Sequence, residues 1–165
     1  MREILRPDQV ISYGSNVVGL TPWTGSFTSI NEAIPNDATY ILGGSSGEEL
    51  RIGLAATSLT QFGSDVGVVR WRAAKISGGV IGGGGNLNLT TSVYNVRNGS
   101  TISFGGSTMG GWQTFEQQFS ISALYRSNWQ LGLTFRPTTT DGTTTAVLSW
   151  AELELPRPRR VTLIL

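Results

Sequence analysis

"NLNLTTSVYNV" (residues 86–96) decides the fold class of this chain. Leu87, Leu89, Thr91 and Val93 alternate with Asn88, Thr90, Ser92 and Tyr94, and a period of two over this length predicts a half-buried antiparallel strand. The same rhythm recurs on both sides of it. In "VVRWRAAKI" (68–76), Val69, Trp71 and Ala73 fall on one face, with Arg70 and Arg72 on the other. "WQTFEQQFSI" (112–121) alternates Phe115, Phe119 and Ile121 with polar residues. "NWQLGLTFRP" (128–137) aligns Trp129, Leu131, Leu133 and Phe135.

In "AVLSWAELEL" (146–155) the phase changes midway: Leu148 and Trp150 face one way, Leu153 and Leu155 the other. One extra residue, a β-bulge, reconciles the halves. Shorter strands are expected in "QVISYGSNVVGL" (9–20), "TYIL" (39–42), "EELRIGLA" (48–55) and "TISF" (101–104), with tight turns at "GGSSG" (43–47) and "NGS" (98–100). "SFTSINEAI" (26–34) reads as a single helical turn capped by Ser26 or Thr28, with Glu32 in its first turn and Pro35 ending it. "SALYRS" (122–127) reads as a second. "SGGVIGGGG" (77–85) is expected to be a flexible loop, too rich in glycine for regular structure. About eight to ten strands with no long helix predict an all-β fold: an antiparallel two-sheet sandwich of jelly-roll type with one or two short helical turns. The expected organisation is an N-terminal arm over 1–8, the sandwich over 9–156 and a C-terminal arm over 157–165.

Charged residues make up 14% of the chain, well under the usual quarter, so hydroxyl and amide side chains carry the polar surface. A net charge of +1 argues against a general nucleic-acid binder. There is no cysteine and no histidine, which removes disulfides, thiolate nucleophiles, zinc–sulfur sites and the commonest general base. Lys75 is the one lysine, so even a Ser-Lys arrangement has a single possible base. "MREILRPDQV" lacks the apolar core of a signal peptide, and no run approaches the ~20 apolar residues of a membrane span. A soluble protein made in the cytoplasm is the expectation, and the sequons "NLT" and "NGS" are read as chance.

Glu152 and Glu154 point the same way on a strand, roughly 7 Å apart from strand rise, as a glycosidase pair could. No second strand supplies a matching acid among aromatics, so they are read as an exposed strand face beside arginines. "GGVIGGGGN" lacks the Lys and the following helix of a phosphate cradle. Asp37, Asp65 and Asp141 could hold calcium with backbone carbonyls, but without EF-hand spacing. No metal, cofactor or catalytic residue is predicted, and the chain is not expected to be an enzyme.

Trp71, Trp129 and Trp150 lie in phase with aliphatic neighbours and are expected in the core. Trp23 in "TPWTG" and Trp112 in "GGWQT" lie in loop-like contexts and are the candidate glycan-binding aromatics. Five of the eleven arginines fall outside the expected sandwich, each group beside aliphatics. Arg2, Ile4, Leu5 and Arg6 precede it; Arg157, Arg159, Arg160, Val161, Leu163, Ile164 and Leu165 follow it. "VTLIL" is uncharged and β-prone, so it is expected to dock as a strand on its own sheet or a neighbour's. These residues are the candidate partner-binding set.

The pieces "WTG", "INEAIPNDATYI", "ELRIGLA", "VRWRA", "NLNLTTSVYN", "WQTFEQQFSIS", "WQLGLTF" and "LSWAELELP" resemble a jelly-roll module that recurs in tailed-bacteriophage virion proteins, over about residues 9–156. The glycine-rich loop and the residues from Arg157 onward depart from that pattern. The resemblance implies a structural virion protein without catalytic residues, first of all a head decoration (cement) protein on the outer capsid surface. Its expected partners are the major capsid protein and copies of itself, with a trimer plausible, and no nucleic acid or membrane. A tail or fibre component of the virion and a carbohydrate-binding β-sandwich module are the alternatives.

Overall fold

The computed structural model describes residues 2–14, 22–44, 46–57, 62, 64–124 and 130–157. Among them are eleven strands and one 3-10 turn, and every strand pair is antiparallel. The strands are β1 (Arg2–Leu5), β2 (Pro7–Ser12), β3 (Ile41–Leu42), β4 (Leu50–Leu54), β5 (Val66–Ser77) and β6 (Val80–Ile81). β7 (Leu87–Asn95), β8 (Thr101–Thr108), β9 (Gln113–Ser120), β10 (Leu131–Thr139) and β11 (Thr145–Pro156) follow. One sheet runs β1-β11-β5-β6, with β3 also on β11 and β9 also on β5; the other runs β2-β4-β10-β7-β8. The chain is therefore an all-β jelly-roll sandwich, as the alternation predicts.

The core lies between the sheets, because each strand sends alternate residues inward. Val69, Trp71 and Ala73 of β5 meet Ile52, Val93, Leu133 and Phe135 of the five-stranded sheet, all of them buried. Trp71 is the hub: it stacks on Phe115 at 5.5 Å and Phe104 at 6.5 Å, and meets the edge of Phe135 at 6.4 Å. Trp150 is buried on the outer side instead, pairing with Arg72 and donating its indole N–H to the Glu32 carbonyl at 2.9 Å, because the bulge turns it away from Leu148; Trp129 lies outside the described residues. The expected bulge in β11 is present, since the register against β5 shifts between Leu148 and Trp150. It lets Leu148 and Leu153 both point inward.

Three expectations change. The segment read as an N-terminal arm is woven into the sandwich: β1 pairs with β11 from Arg2↔Pro156 to Leu5↔Leu153, and β2 pairs with β4. Backbone pairing of β1 at the edge of one sheet and of β2 at the edge of the other leaves no free arm over residues 2–8. The glycine-rich loop is ordered. Val80 and Ile81 form β6 against Ser77 and Ile76, turning through Gly78 and Gly79 at φ 55° and 80°, a region glycine enters without strain. Beyond it, Gly85 N–H donates to Asp141 Oδ2 (2.8 Å) and Thr144 Oγ1 (2.9 Å), while Lys75 Nζ donates to the carbonyls of Gly84 and Gly85. The first helical turn, capped by Ser26 accepting from Thr28 N–H, spans only Phe27–Ser29, so Glu32 lies beyond it. Of the second, Ile121–Leu124 closes a turn through Leu124 N–H to Ile121 O, and the rest falls outside the described residues.

Candidate ligand-binding surface

The chain's polar chemistry sits on the two outer faces. On the six-stranded sheet, Arg70 reaches three carboxylates: Glu116 (2.6 Å), Glu154 (2.9 Å) and Glu152 (3.3 Å). Arg2 adds a 2.7 Å contact to Glu154, and Arg6 a 3.5 Å contact to Glu152. Hydrogen bonding to Glu154, followed by Glu116, raises the Arg70 pKa despite partial burial. Glu152 and Glu154 are thus buried under guanidiniums, not displayed on an exposed face, because three arginines close over them.

The three aspartates considered for calcium have other work. Asp37 holds Arg72 through two 2.7 Å bonds, and that bond keeps its carboxyl below the usual range. Asp65 accepts from the hydroxyls of Ser120 and Ser122 and from Ser122 N–H, which lowers its pKa. Asp141 is held well below the ordinary carboxylate range, first by Thr144 N–H and then by its hydroxyl. Among the described residues no cluster of His, Cys, Asp or Glu is placed to hold a metal ion.

The candidate partner residues scatter. Leu5 is core, 3% exposed, so it cannot meet a partner: β1 turns it inward. Arg6 is committed to Glu152 and to the Glu32 carbonyl. Arg2, for all its contact with Glu154, keeps a side chain 67% exposed, and Ile4 beside it is also exposed. Arg157 is exposed. Arg159, Arg160, Val161, Leu163, Ile164 and Leu165 lie outside the described residues.

The two candidate glycan aromatics part company. Trp23 is 1% exposed, and its indole N–H donates to the buried Glu48 carbonyl at 2.9 Å. It is a core residue, since the backbone of 22–24 is drawn inward to pair with Tyr13 and Leu42. Trp112 is half-buried on the outer face of the six-stranded sheet. Its ring lies 6.1 Å from that of Tyr40, tilted by 51°, and the Arg72 guanidinium stands 6.0 Å from its centroid.

Sheet register explains this meeting. Ala73 faces the core opposite Gln113, so Trp112, one residue earlier, falls on the outer side. Ile41 is fully buried, so Tyr40 and Leu42 on either side of it must point out, and both are exposed. Beside Tyr40 is an open groove of about 380 Å³, lined also by Leu42, Ile76, Ser77, Thr143 and Thr145. The β5–β6 turn forms one rim with Gly78 and Gly79, where an added Cβ would meet nothing within 4 Å. The site thus combines an aromatic wall, an aliphatic floor, three hydroxyls and bare backbone. Tyr40 and the hydroxyl residues escape reading from sequence, though the strand expected in "TYIL" puts Tyr40 and Leu42 on the face opposite Ile41.

No protein-family model matches this chain, and no curated protein does. Solved structures resemble it in outline. The CBM22-1 xylan-binding domain from Paenibacillus barcinonensis Xyn10C is 13% identical, with 93% of this chain and 98% of that domain covered at a TM-score of 0.48. TmCBM61 in complex with β-1,4-galactotriose is 9% identical, covering 90% of this chain and 89% of that one at 0.44. An enzymatically active domain of tailspike protein 4 from bacteriophage CBA120 is 11% identical; the match covers 93% of this chain but 19% of that one, at 0.44.

Proposed function

We propose that this chain is a non-catalytic carbohydrate-binding β-sandwich whose ligand lies in the groove beside Tyr40 and Trp112. The observation that carries this reading is the exposed Tyr40 ring in a groove with Ser77, Thr143 and Thr145, with the half-buried Trp112 ring 6.1 Å from it. A pyranose ring presents an apolar C–H face and a rim of hydroxyls, which an aromatic wall with a few placed polar groups can match. The groove is open at the surface and suits a chain of sugars passing over it. Titration of neutral oligosaccharides into the protein, followed calorimetrically or by NMR, is the test. Trp112→Ala and Tyr40→Ala should each weaken binding by roughly tenfold, in line with losing about 1–1.5 kcal/mol of aromatic contact. If no neutral glycan binds, or both variants bind as well as the parent, the reading is lost.

A second reading is a virion structural protein, a head decoration protein or a tail component, in which this sandwich is held on the particle by its ends. One observation favours it. The Arg2↔Pro156 pair brings Arg2 and Ile4 to the corner from which Arg157 leaves the sheet, so the exposed parts of both end segments converge. Such a corner would supply the contact to a capsid protein or to another copy of the chain. Capsids lacking the protein should bind it when it is added back, and should not bind a version without residues 157–165. Equal binding by both would remove the end segments from the contact.

A further inference from the structure

The outer face of the five-stranded sheet carries a second open groove, of about 560 Å³, bordered by Ser12, Gly14, Gly47, Glu49, Arg51 and Arg136. Its volume is in the range of small-ligand sites. Register fixes the two arginines there. Arg51 pairs with Thr134, and Arg136 pairs with Thr90, while the alternate residues Leu50, Ile52 and Phe135 face the core.

The arginines are in different states. Arg51 donates Nε–H to Glu49 Oε1 at 2.7 Å, and its guanidinium lies 5.9 Å over the Tyr94 ring. Arg136 forms no hydrogen bond or ion pair with any described residue, and Gly47 lies close beneath it: a Cβ added there would be 3.8 Å from its Nη2. Glycine at φ 90° keeps that wall low. Behind Arg51, the Tyr94 hydroxyl is buried without a hydrogen-bond partner. Ser12 and Gly14 exchange only long bonds of 3.2 and 3.3 Å, so the Ser12 hydroxyl is free to turn.

The lining sets two guanidiniums against Glu49, which Arg51 already engages, with the Glu48 carboxylate close beside Gly14, so the Arg136 fork is the donor left unanswered among the described residues. We propose that this groove binds a carboxylated sugar, a uronic acid unit, with its carboxylate gripped by the planar fork of Arg136 and its hydroxyls met by Ser12 and Arg51. One carboxylate answers that single planar fork, whereas a doubly charged phosphate would be repelled more strongly by Glu49 and Glu48. Arg suits the task because its parallel N–H groups match the two carboxylate oxygens. The site is separate from the Tyr40–Trp112 groove and does not depend on it.

The experiment titrates the full chain with oligogalacturonate and oligoglucuronate, with neutral oligomers of equal length, and with inorganic phosphate. A uronate oligomer should bind and should weaken as salt rises, because the pairing is exposed to screening. Arg136→Gln should reduce that affinity at least tenfold, as expected for a lost charge-assisted hydrogen bond, while Trp112→Ala leaves it unchanged. Loss of neutral binding in Trp112→Ala with uronate binding intact would separate the two sites. The proposal is overturned if no uronate oligomer binds, if neutral oligomers compete equally in this groove, if phosphate binds better, or if Arg136→Gln binds like the parent.

Discussion

The two outer faces of this sandwich use arginine in opposite ways. On the six-stranded sheet, Arg70 spans from β9 across β5 to β11, with Arg2 and Arg6 reaching the same carboxylates from the N-terminal segment. Arg72 is likewise closed on Asp37. On the five-stranded sheet, Arg51 is paired with Glu49, and the Arg136 guanidinium has no such partner among the described residues. The face richest in charge therefore has little charge to offer a partner, because its charges are spent on one another. A guanidinium becomes informative about function where the fold leaves it unanswered. Exposed pairs of this kind stabilise little, but Glu152 and Glu154 are buried, so their cover matters.

The largest expected effect follows from breaking that cover. Arg70→Met leaves Glu116 without its cation and strips Glu152 and Glu154 of their shared one. Arg2 and Arg6 remain, so a loss of about 3 kcal/mol is expected, at the low end for breaking a buried ion pair. Urea unfolding of parent and variant would measure it. A loss under ~0.5 kcal/mol would mean that the network is surface decoration and that the two faces do not differ as described.

Gly132→Ala probes the other face. Glycine here leaves room for the Tyr94 ring to lie across β10, and an added Cβ would come within 2.6 Å of the Ile52 carbonyl and of the ring. Neither backbone nor ring can yield cheaply, so overpacking should cost about 2 kcal/mol. The displaced Tyr94 should also change its own titration. Burial now pushes that phenol up to about 12, and a ring lifted toward water should ionise at lower pH. A variant of parental stability with an unchanged tyrosine titration would show that the ring does not rest on the sheet.

These two faces also show what the sequence could disclose. Strands with clean alternation were readable, and so was the bulge, since the phase change between Leu148 and Leu153 is local. The glycine-rich segment was not, because its order comes from Asp141 and Thr144, more than fifty residues away. Arg2 and Arg6 looked adhesive for the same reason: the carboxylates that answer them lie at the opposite end of the chain. The arginines near Glu152 and Glu154 were visible in the sequence, but not that they bury those acids. Of the site, Trp112 could be found from its loop context. The similar setting of Trp23 misled, because backbone pairing that pulls a loop inward leaves no periodic trace. Arg136 gave no signal either, since only the register, and the pairing of the nearby Glu49 with Arg51, distinguish it from Arg70.

The smallest expected effect is the sharpest contrast. If Arg136 is kept for a ligand, the fold gains nothing from its charge, and Arg136→Gln should alter unfolding free energy by no more than about 0.5 kcal/mol, as for other surface changes away from structural features. Gln keeps a polar end on a shorter stem while removing the guanidinium, which rests only loosely over Gly47. Measured beside Arg70→Met under the same conditions, the pair isolates what each face does with the same side chain. A loss at Arg136 comparable to that at Arg70 would mean that its charge is answered within the protein, and the five-stranded face would then spend its arginines as its counterpart does.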